Sequence, residues 1–369
     1  MTTSTVASKV LSTSLSRRRL LKAGAAMAAG LAAPSFFVRN AWAAGKTMQI
    51  GIWGGVQGEF IRKSVLPAFE KEFDCKIDAQ QGSTLGQIAL LRAGKDAPKF
   101  TVMFVDDLGV EIAKREGLID PLPKDKMPNL AKVYPRFIYN DGYGVALAIS
   151  SAGLFYNPQA TKPLESYAEL WDPRFARKVS LVGTKTTPSV FTVIIAAAIA
   201  SGKPYKEAQY LADQAWPKLK ELKPNVLNLY STDDAPLLVA QGQGAIGGPE
   251  YSKYVYPYKL KGASIDMCFP KEGAFAGVNC QILVKNAPNA DLGAEFMNRM
   301  LDPAVQQGLA ETALAAPAVG GLSFKPEIAG LLAYPESKMD ELGLFSPDWA
   351  YVNSVRSSWI ENLNQIFTA

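Results

Sequence analysis

Residues 100–117 read Phe-Thr-Val-Met-Phe-Val-Asp-Asp-Leu-Gly-Val-Glu-Ile-Ala-Lys-Arg-Glu-Gly. The unbroken apolar run 100–104 is the pattern of a strand buried on both faces. A helix is predicted over 108–115, stopped at Gly117. Asp106 and Asp107 stand between them, at the carboxyl end of the strand. One is placed to cap the helix and the other to face a cleft. Strand, polar turn and helix together make the repeating unit of an α/β fold.

Working outward, the same unit recurs. Towards the N-terminus a strand is predicted over 48–53 and a helix over 60–73, with Ile61, Val65, Phe69 and Phe73 on one stripe and a kink or break at Pro67. A strand over 76–79 and a helix over 85–93 follow. Beyond Gly117 a strand is predicted over 144–149, and then a second series begins. It comprises strand 179–182, the nearly all-apolar helix 190–200, a long amphipathic helix 205–221, strand 225–229, helix 236–241 and strand 245–247. Strand 278–284 precedes helices over 290–301, 303–311 and 348–367. No repeat or low-complexity linker separates the two series. Two α/β lobes, joined on structured segments, enclose a cleft where ligands bind at the carboxyl ends of strands.

The chain has 369 residues, 39 of them Lys or Arg, 34 Asp or Glu and none His. Without histidine most nucleophile–base triads and the commonest zinc and copper sites are excluded. The basic balance belongs to the first 43 residues, which hold Lys9, Arg17, Arg18, Arg19, Lys22 and Arg39 and no acid. The remainder carries 33 basic against 34 acidic residues, so a nucleic-acid partner has no compositional support. In that leader Ser16-Arg17-Arg18-Arg19-Leu20-Leu21-Lys22 precedes the apolar stretch 23–33 and the small-x-small site Ala41-Trp42-Ala43. This is an export signal, and its paired arginines resemble a twin-arginine signal, whose cargo crosses folded.

Three cysteines remain for an oxidising compartment. Cys268 and Cys280 lie in apolar runs 264–269 and 278–284. Two readings stand: a hairpin that brings the thiols together as a disulfide, or two buried thiols acting as small hydrophobes. Gly242-Gln243-Gly244-Ala245-Ile246-Gly247 spells the dinucleotide fingerprint, but a helix precedes it and Gly248-Pro249 follows, the reverse of the context that motif needs.

Candidate ligand contacts fall at the predicted strand ends. Trp53 and Gly54 end the first strand, where the indole either faces the cleft or caps the core. Ser83 and Thr84 follow the second, as helix caps or ligand contacts. Asp106 ends the third. Thr186 and Thr187 precede the buried helix of the second lobe, again as caps or as part of an anion site. Tyr230 and Asp233 lie in a polar cluster after a strand. Glu250 and Tyr251 open a segment with Tyr251, Tyr254, Tyr256 and Tyr258 in eight residues, either an aromatic box wall or packing.

Several longer segments then resemble, in order, the periplasmic solute-binding proteins of ABC importers, in the group that binds polyamines, ferric iron, thiamine and aminophosphonates. Leu154-Phe155-Tyr156-Asn157 is similar to that family's Tyr-Asn motif. Tyr167-Ala168-Glu169-Leu170-Trp171-Asp172-Pro173-Arg174-Phe175-Ala176-Arg177-Lys178-Val179 is similar to its W-x-x-L-W-D-P-x-x-x-x-K-V segment, with Tyr167 for the leading tryptophan. Phe269-Pro270-Lys271-Glu272-Gly273-Ala274 resembles its P-x-E-G turn, and 287–303 its helix ending in L-x-D/N-P. The resemblance implies a two-lobed, periplasmic-binding-protein-like α/β fold of type II, with the ligand cleft between lobes. Residues 44–149 and 284–369 form one lobe and 150–283 the other.

The implied function is capture of a small solute by lobe closure and delivery to a membrane permease, with no catalytic residue, cofactor or resident metal, and the protein as a monomer. In polyamine binders of the family an aromatic and an acid stand near the first strand, with further acids beyond. Trp53 matches the aromatic. Asn279 stands where an Asp would pair with an amine, and no acid accompanies Gly54-Gly55; Glu59, Asp106, Asp233 and Glu250 are the available substitutes. The expected ligand is a small polar, nitrogen-containing, polyamine-like solute. A ferric-iron or thiamine binder and a secreted enzyme using Asp106 with Asp233 are the alternatives.

Overall fold

The strands that build the molecule are β1 (Lys46–Ile52), β2 (Cys75–Gln81), β3 (Phe100–Asp106), β4 (Ile119–Asp120), β5 (Ile138–Tyr139) and β6 (Gly144–Tyr156), followed by β7 (Val179–Val182), β8 (Val226–Tyr230), β9 (Ile246–Tyr251), β10 (Asp266–Cys268), β11 (Phe275–Val284) and β12 (Ala316–Pro317). They were located in a computed structural model that describes residues 46–231 and 235–368. The leader 1–43 and Asp233 lie outside the described residues.

The strands share one sheet in the order β2-β1-β3-β11-β6-β9-β7-β8, with the short strands on its flanks. β2, β1 and β3 run parallel, as do β9, β7 and β8. β11 and β6, antiparallel to each other, join the two parallel blocks. Both are buried along their whole length, which explains their near-continuous apolar sequence. The fold is thus the two-lobed α/β architecture expected, with two long strands as the structured crossover.

Register locates the cleft. Asp106, the last residue of β3, is opposite Asn279 of β11, and Asn279 is opposite Ala148 of β6. Tyr251, the last residue of β9, is opposite Ala152 of β6. The carboxyl ends of both parallel blocks therefore meet β6 within roughly 13 Å of strand, at about 3.3 Å per residue. A bulge interrupts the β6–β11 ladder between Asn279 and Cys280, a device that re-aims side chains beside functional sites.

Two of the expected helices depart from their apolar patterns. The 60–73 segment is continuous but changes pitch. Gly55–Phe60 passes into a π turn over Ile61–Val65 and then into Leu66–Phe73. Leu66 N–H bonds the Ile61 carbonyl, and the wider turn makes room for the Pro67 ring where an α turn would clash. The single helix expected over 205–221 is two, Tyr205–Ala208 and Ala212–Leu222. Between them Gln209 is buried, accepting from Asp348 N–H at 2.8 Å and donating to the Lys206 carbonyl at 3.0 Å. Those bonds hold the chain out of helical register, which periodicity does not reveal.

The apolar helix Ser189–Ser201 is buried through Ala198. Its Phe191 stacks on Phe275 of β11 at 4.4 Å, and Tyr205 stacks on the same ring at 4.5 Å. The family-like segments also meet. Glu272 accepts Tyr167 N–H at 3.1 Å and the Ser166 hydroxyl. Asn157 donates to the Val239 carbonyl at 3.0 Å and accepts from Gln159 N–H and the Ser264 hydroxyl. The glycine-rich 242–247 segment links helix Ala235–Ala240 to β9, as its reversed context requires.

The hairpin reading of the cysteines is overturned. β10 and β11 both pair with β6, Cys268 opposite Leu154 and Cys280 opposite Ala146. Eight residues of strand put them roughly 26 Å apart, far beyond disulfide reach. Cys75, Cys268 and Cys280 are free and buried. Burial pushes all three thiols up, Cys268 to about 11 and Cys280 well above the ordinary range. A thiol reagent at neutral pH is expected to leave native Cys268 and Cys280 unmodified and to label all three cysteines in denaturant. Rapid native labelling of Cys280, read by peptide mass spectrometry, would contradict this packing.

Candidate functional site

The site is organised around the carboxamide of Asn279, which is buried at 4% exposure. Its Nδ2 donates to Asp106 Oδ1 at 2.8 Å. Its Oδ1 accepts from Gln57 Nε2 at 3.0 Å and from Lys253 Nζ at 3.1 Å. One side chain on β11 thus ties together the helix after β1, the end of β3 and helix Ser252–Leu260 after β9. Position 279 does meet an amine, and that amine belongs to the protein.

Lys253 lies between aromatic faces. Its Nζ is 5.7 Å from the Tyr251 ring centroid and 5.4 Å from that of Tyr254, within cation–π range. Burial pulls the ammonium pKa down, while Asp106 and Glu250 pull it up. The Tyr251 ring meets Phe191 edge-on at 6.1 Å and covers Gly277 so closely that a Cβ there would come within 2.1 Å of it. Burial first, then the carboxylates of Asp106, Asp107 and Glu250, hold the Tyr251 hydroxyl well above its ordinary pKa. Glu250 is fully buried and accepts Tyr251 N–H at 2.8 Å.

Arg356, from the last helix Trp349–Phe367, feels the Asp106 charge and the Tyr251 hydroxyl. Its Nε is buried and has no hydrogen-bond partner, and burial lowers its pKa. Asp107 is 3% exposed. Burial, reinforced by neighbouring Asp106, pushes it up to about 8, while Trp349 and backbone N–H groups offset only part of that rise. Its Oδ1 accepts Leu108 N–H at 3.0 Å.

The other sequence candidates have structural duties too. Trp53 is half-buried 5.4 Å from Phe104, and its Nε1 is buried without a partner. Gly54 begins the helix after β1, where a Cβ would come within 1.9 Å of Gln81. Ser83 caps helix Thr84–Ala93 by accepting Gly86 N–H, and Thr84 Oγ1 accepts Asp106 N–H at 3.0 Å, fixing the end of β3. The expected side-chain capping by Thr186 and Thr187 is not formed. Pro188 is the N-cap, the Thr186 hydroxyl donates to the Gly183 carbonyl, and both threonine carbonyls receive helix N–H groups instead. Tyr230 is packed into a second core against Phe155, its hydroxyl donating to the Pro249 carbonyl. Glu59 is exposed and paired with Lys63 at 2.7 Å. Tyr256 is buried in the second core and Tyr258 packs against it.

Sequence reading missed Gln57, Asp107's burial, Lys253 and Arg356. Lys253 had a local signal, a lone cation inside the tyrosine cluster. Arg356 had none, because it enters from a helix more than a hundred residues away from β9.

Strand ends from two parallel blocks that converge on one polar, aromatic-lined cluster define a two-lobed solute-binding protein. Residues 65–329 match the family described as bacterial extracellular solute-binding protein, and the chain belongs to that family. It is similar to the spermidine/putrescine-binding periplasmic protein of Escherichia coli, with 25% identity over 317 residues, 83% of this chain and 89% of the relative. Spermidine/putrescine-binding periplasmic protein 1 of Haemophilus influenzae is 26% identical over 268 residues, 70% of this chain and 71% of that protein. The fold matches the crystal structure of an ABC transporter protein from Clostridium perfringens with a TM-score of 0.74 and 23% identity, covering 87% of this chain and 99% of that one. It also matches the spermidine/putrescine ABC transporter substrate-binding protein of Streptococcus pneumoniae, with a TM-score of 0.69 and 17% identity, covering 87% and 99%.

Proposed function

We propose that this protein is the periplasmic substrate-binding component of an ABC importer. It captures a small polar, nitrogen-containing, polyamine-like solute by lobe closure and delivers it to an inner-membrane permease. The observation that carries the reading is the Asn279 cluster, in which groups from both parallel blocks converge on a single buried amide. A ligand held there touches both lobes and favours the closed state. We assign residues 44–149 and 284–369 to one lobe and 150–283 to the other. The protein acts as a monomer, without catalytic chemistry. Leader 1–43 directs folded export through the twin-arginine translocase, in keeping with Arg17, Arg18 and the apolar stretch behind them.

Native mass spectrometry of the protein purified from its own periplasm, followed by a melting panel of small amines, amino acids, thiamine and phosphonates, tests this reading. A bound organic mass, reproduced by a saturable rise in melting temperature, is expected. A bare protein that no solute stabilises would overturn it.

A further inference from the structure

At the end of β3 and β11 remote from Asn279, the structure holds a cavity of about 360 Å³, within the range of about 300–1,000 Å³ typical of small-molecule sites. The β3–β11 ladder ends at Val102–Leu283, so Phe100 and Val284 lie beyond it. With Leu91 of helix Thr84–Ala93 and Leu118 they form an apolar floor, all four buried. The walls are fastened to one another. Arg92 donates twice to the Glu116 carboxylate at 2.7 Å, and Lys95 Nζ donates to the Glu116 carbonyl at 3.2 Å. Lys285 N–H donates to the Leu118 carbonyl at 3.0 Å. Val284 stands five residues along β11 from Asn279, roughly 17 Å at about 3.3 Å per residue, so the cavity is separate from the solute cluster.

The rim is basic. Lys95, Lys99 and Lys285 line it, all exposed, against one acid, Asp96. Lys95 is engaged with the Glu116 carbonyl. Among the described residues the ammonium groups of Lys99 and Lys285 form no ion pair and no hydrogen bond. An apolar floor is stabilised by hydrocarbon that covers it, and unengaged cations at its edge favour an anion over a cation of equal size. We propose that this cavity is a second ligand site, which takes a small amphipathic anion. The hydrocarbon body lies on Leu91, Phe100, Leu118 and Val284, and the anionic head meets Lys99 and Lys285. The proposal does not rest on the solute-binding reading, because it uses neither the strand ends nor the Asn279 cluster.

Octanoate, octanol and octylammonium share a chain and differ at the head, so calorimetric titration of the wild-type protein with all three reads the floor and the rim separately. Octanoate is expected to bind at a single site, at least about tenfold more tightly than octylammonium, with octanol between them. Added salt narrows that gap. Lys99→Gln combined with Lys285→Gln is expected to weaken octanoate by about tenfold and to leave octanol unchanged. Ala93→Trp, at an exposed position that lines the cavity, fills the space with an indole and is expected to abolish binding of all three. Far-UV circular dichroism and unliganded melting establish that each variant is folded. Octanoate that does not bind at millimolar concentration, that binds no better than octylammonium, or that binds the Ala93→Trp or double-lysine variant as tightly as the wild type overturns the inference. Solute binding at the Asn279 cluster is titrated separately and is expected to be unchanged in both variants, so failure here leaves the solute-binding reading intact.

Discussion

Asn279→Leu is expected to lower stability by about 3 kcal/mol and to abolish solute binding. Leucine keeps the branched outline of the buried amide in a somewhat larger volume but satisfies none of its three partners. Gln57 Nε2 and Lys253 Nζ lose their acceptor and Asp106 Oδ1 loses its donor. Each buried polar group left unpaired costs about 1–3 kcal/mol, more when charged. The sum is less than additive because Lys253 and Asp106 can turn towards each other once the amide is gone. Urea denaturation at neutral pH measures the loss. A change below about 1 kcal/mol would mean that water replaces the amide and that Asn279 is not the centre of the cluster. The functional half of the prediction is independent of the fold: a folded Asn279→Leu protein that still binds solute with wild-type affinity would move the site elsewhere.

The second large effect is a pH dependence set by Asp107. Burial pushes its carboxyl up to about 8 from the ordinary aspartate value of 3.8. Between those values the folded protein holds a proton that the unfolded chain has released. Stability therefore falls as pH rises through this window and levels off above the folded value. Each pH unit of the window costs up to about 1.4 kcal/mol. Asp107→Asn keeps the shape and the Oδ1 acceptor for Leu108 N–H but cannot ionise. It is expected to match the wild type near pH 4 and to gain on it by up to about 4 kcal/mol between pH 5 and pH 8. Parallel stability curves for the two proteins across that range would show that Asp107 ionises freely in the fold.

Much of the architecture is legible in the sequence. The run 100–104 reads as a buried strand because a strand covered on both faces needs no polar alternation, and 190–200 reads as a buried helix for the same reason. The ordered segments around Asn157, Tyr167–Val179 and Glu272 pointed to the family, and the structure gives them reasons: Asn157 and Glu272 hold neighbouring elements together through hydrogen bonds. What misled was local too. Cys268 and Cys280 sit in adjacent apolar runs separated by a turn, the usual sign of a hairpin, yet both runs add to β6. A run's partner is chosen by long-range sheet order, which no window of sequence contains.

The sequence by itself determined the alternation of strands and helices, the strand ends where polar residues collect, and the family. Those features are written in spacing and periodicity, which act over a few residues. Tertiary structure alone decided which strand ends meet. It put Asp106 opposite Asn279, led Lys253 into the tyrosine pair, and brought Arg356 in from the last helix. Register between distant strands and the burial of a charge depend on the whole sheet closing at once. For that reason the lysine that donates to Asn279 became visible only in the folded chain.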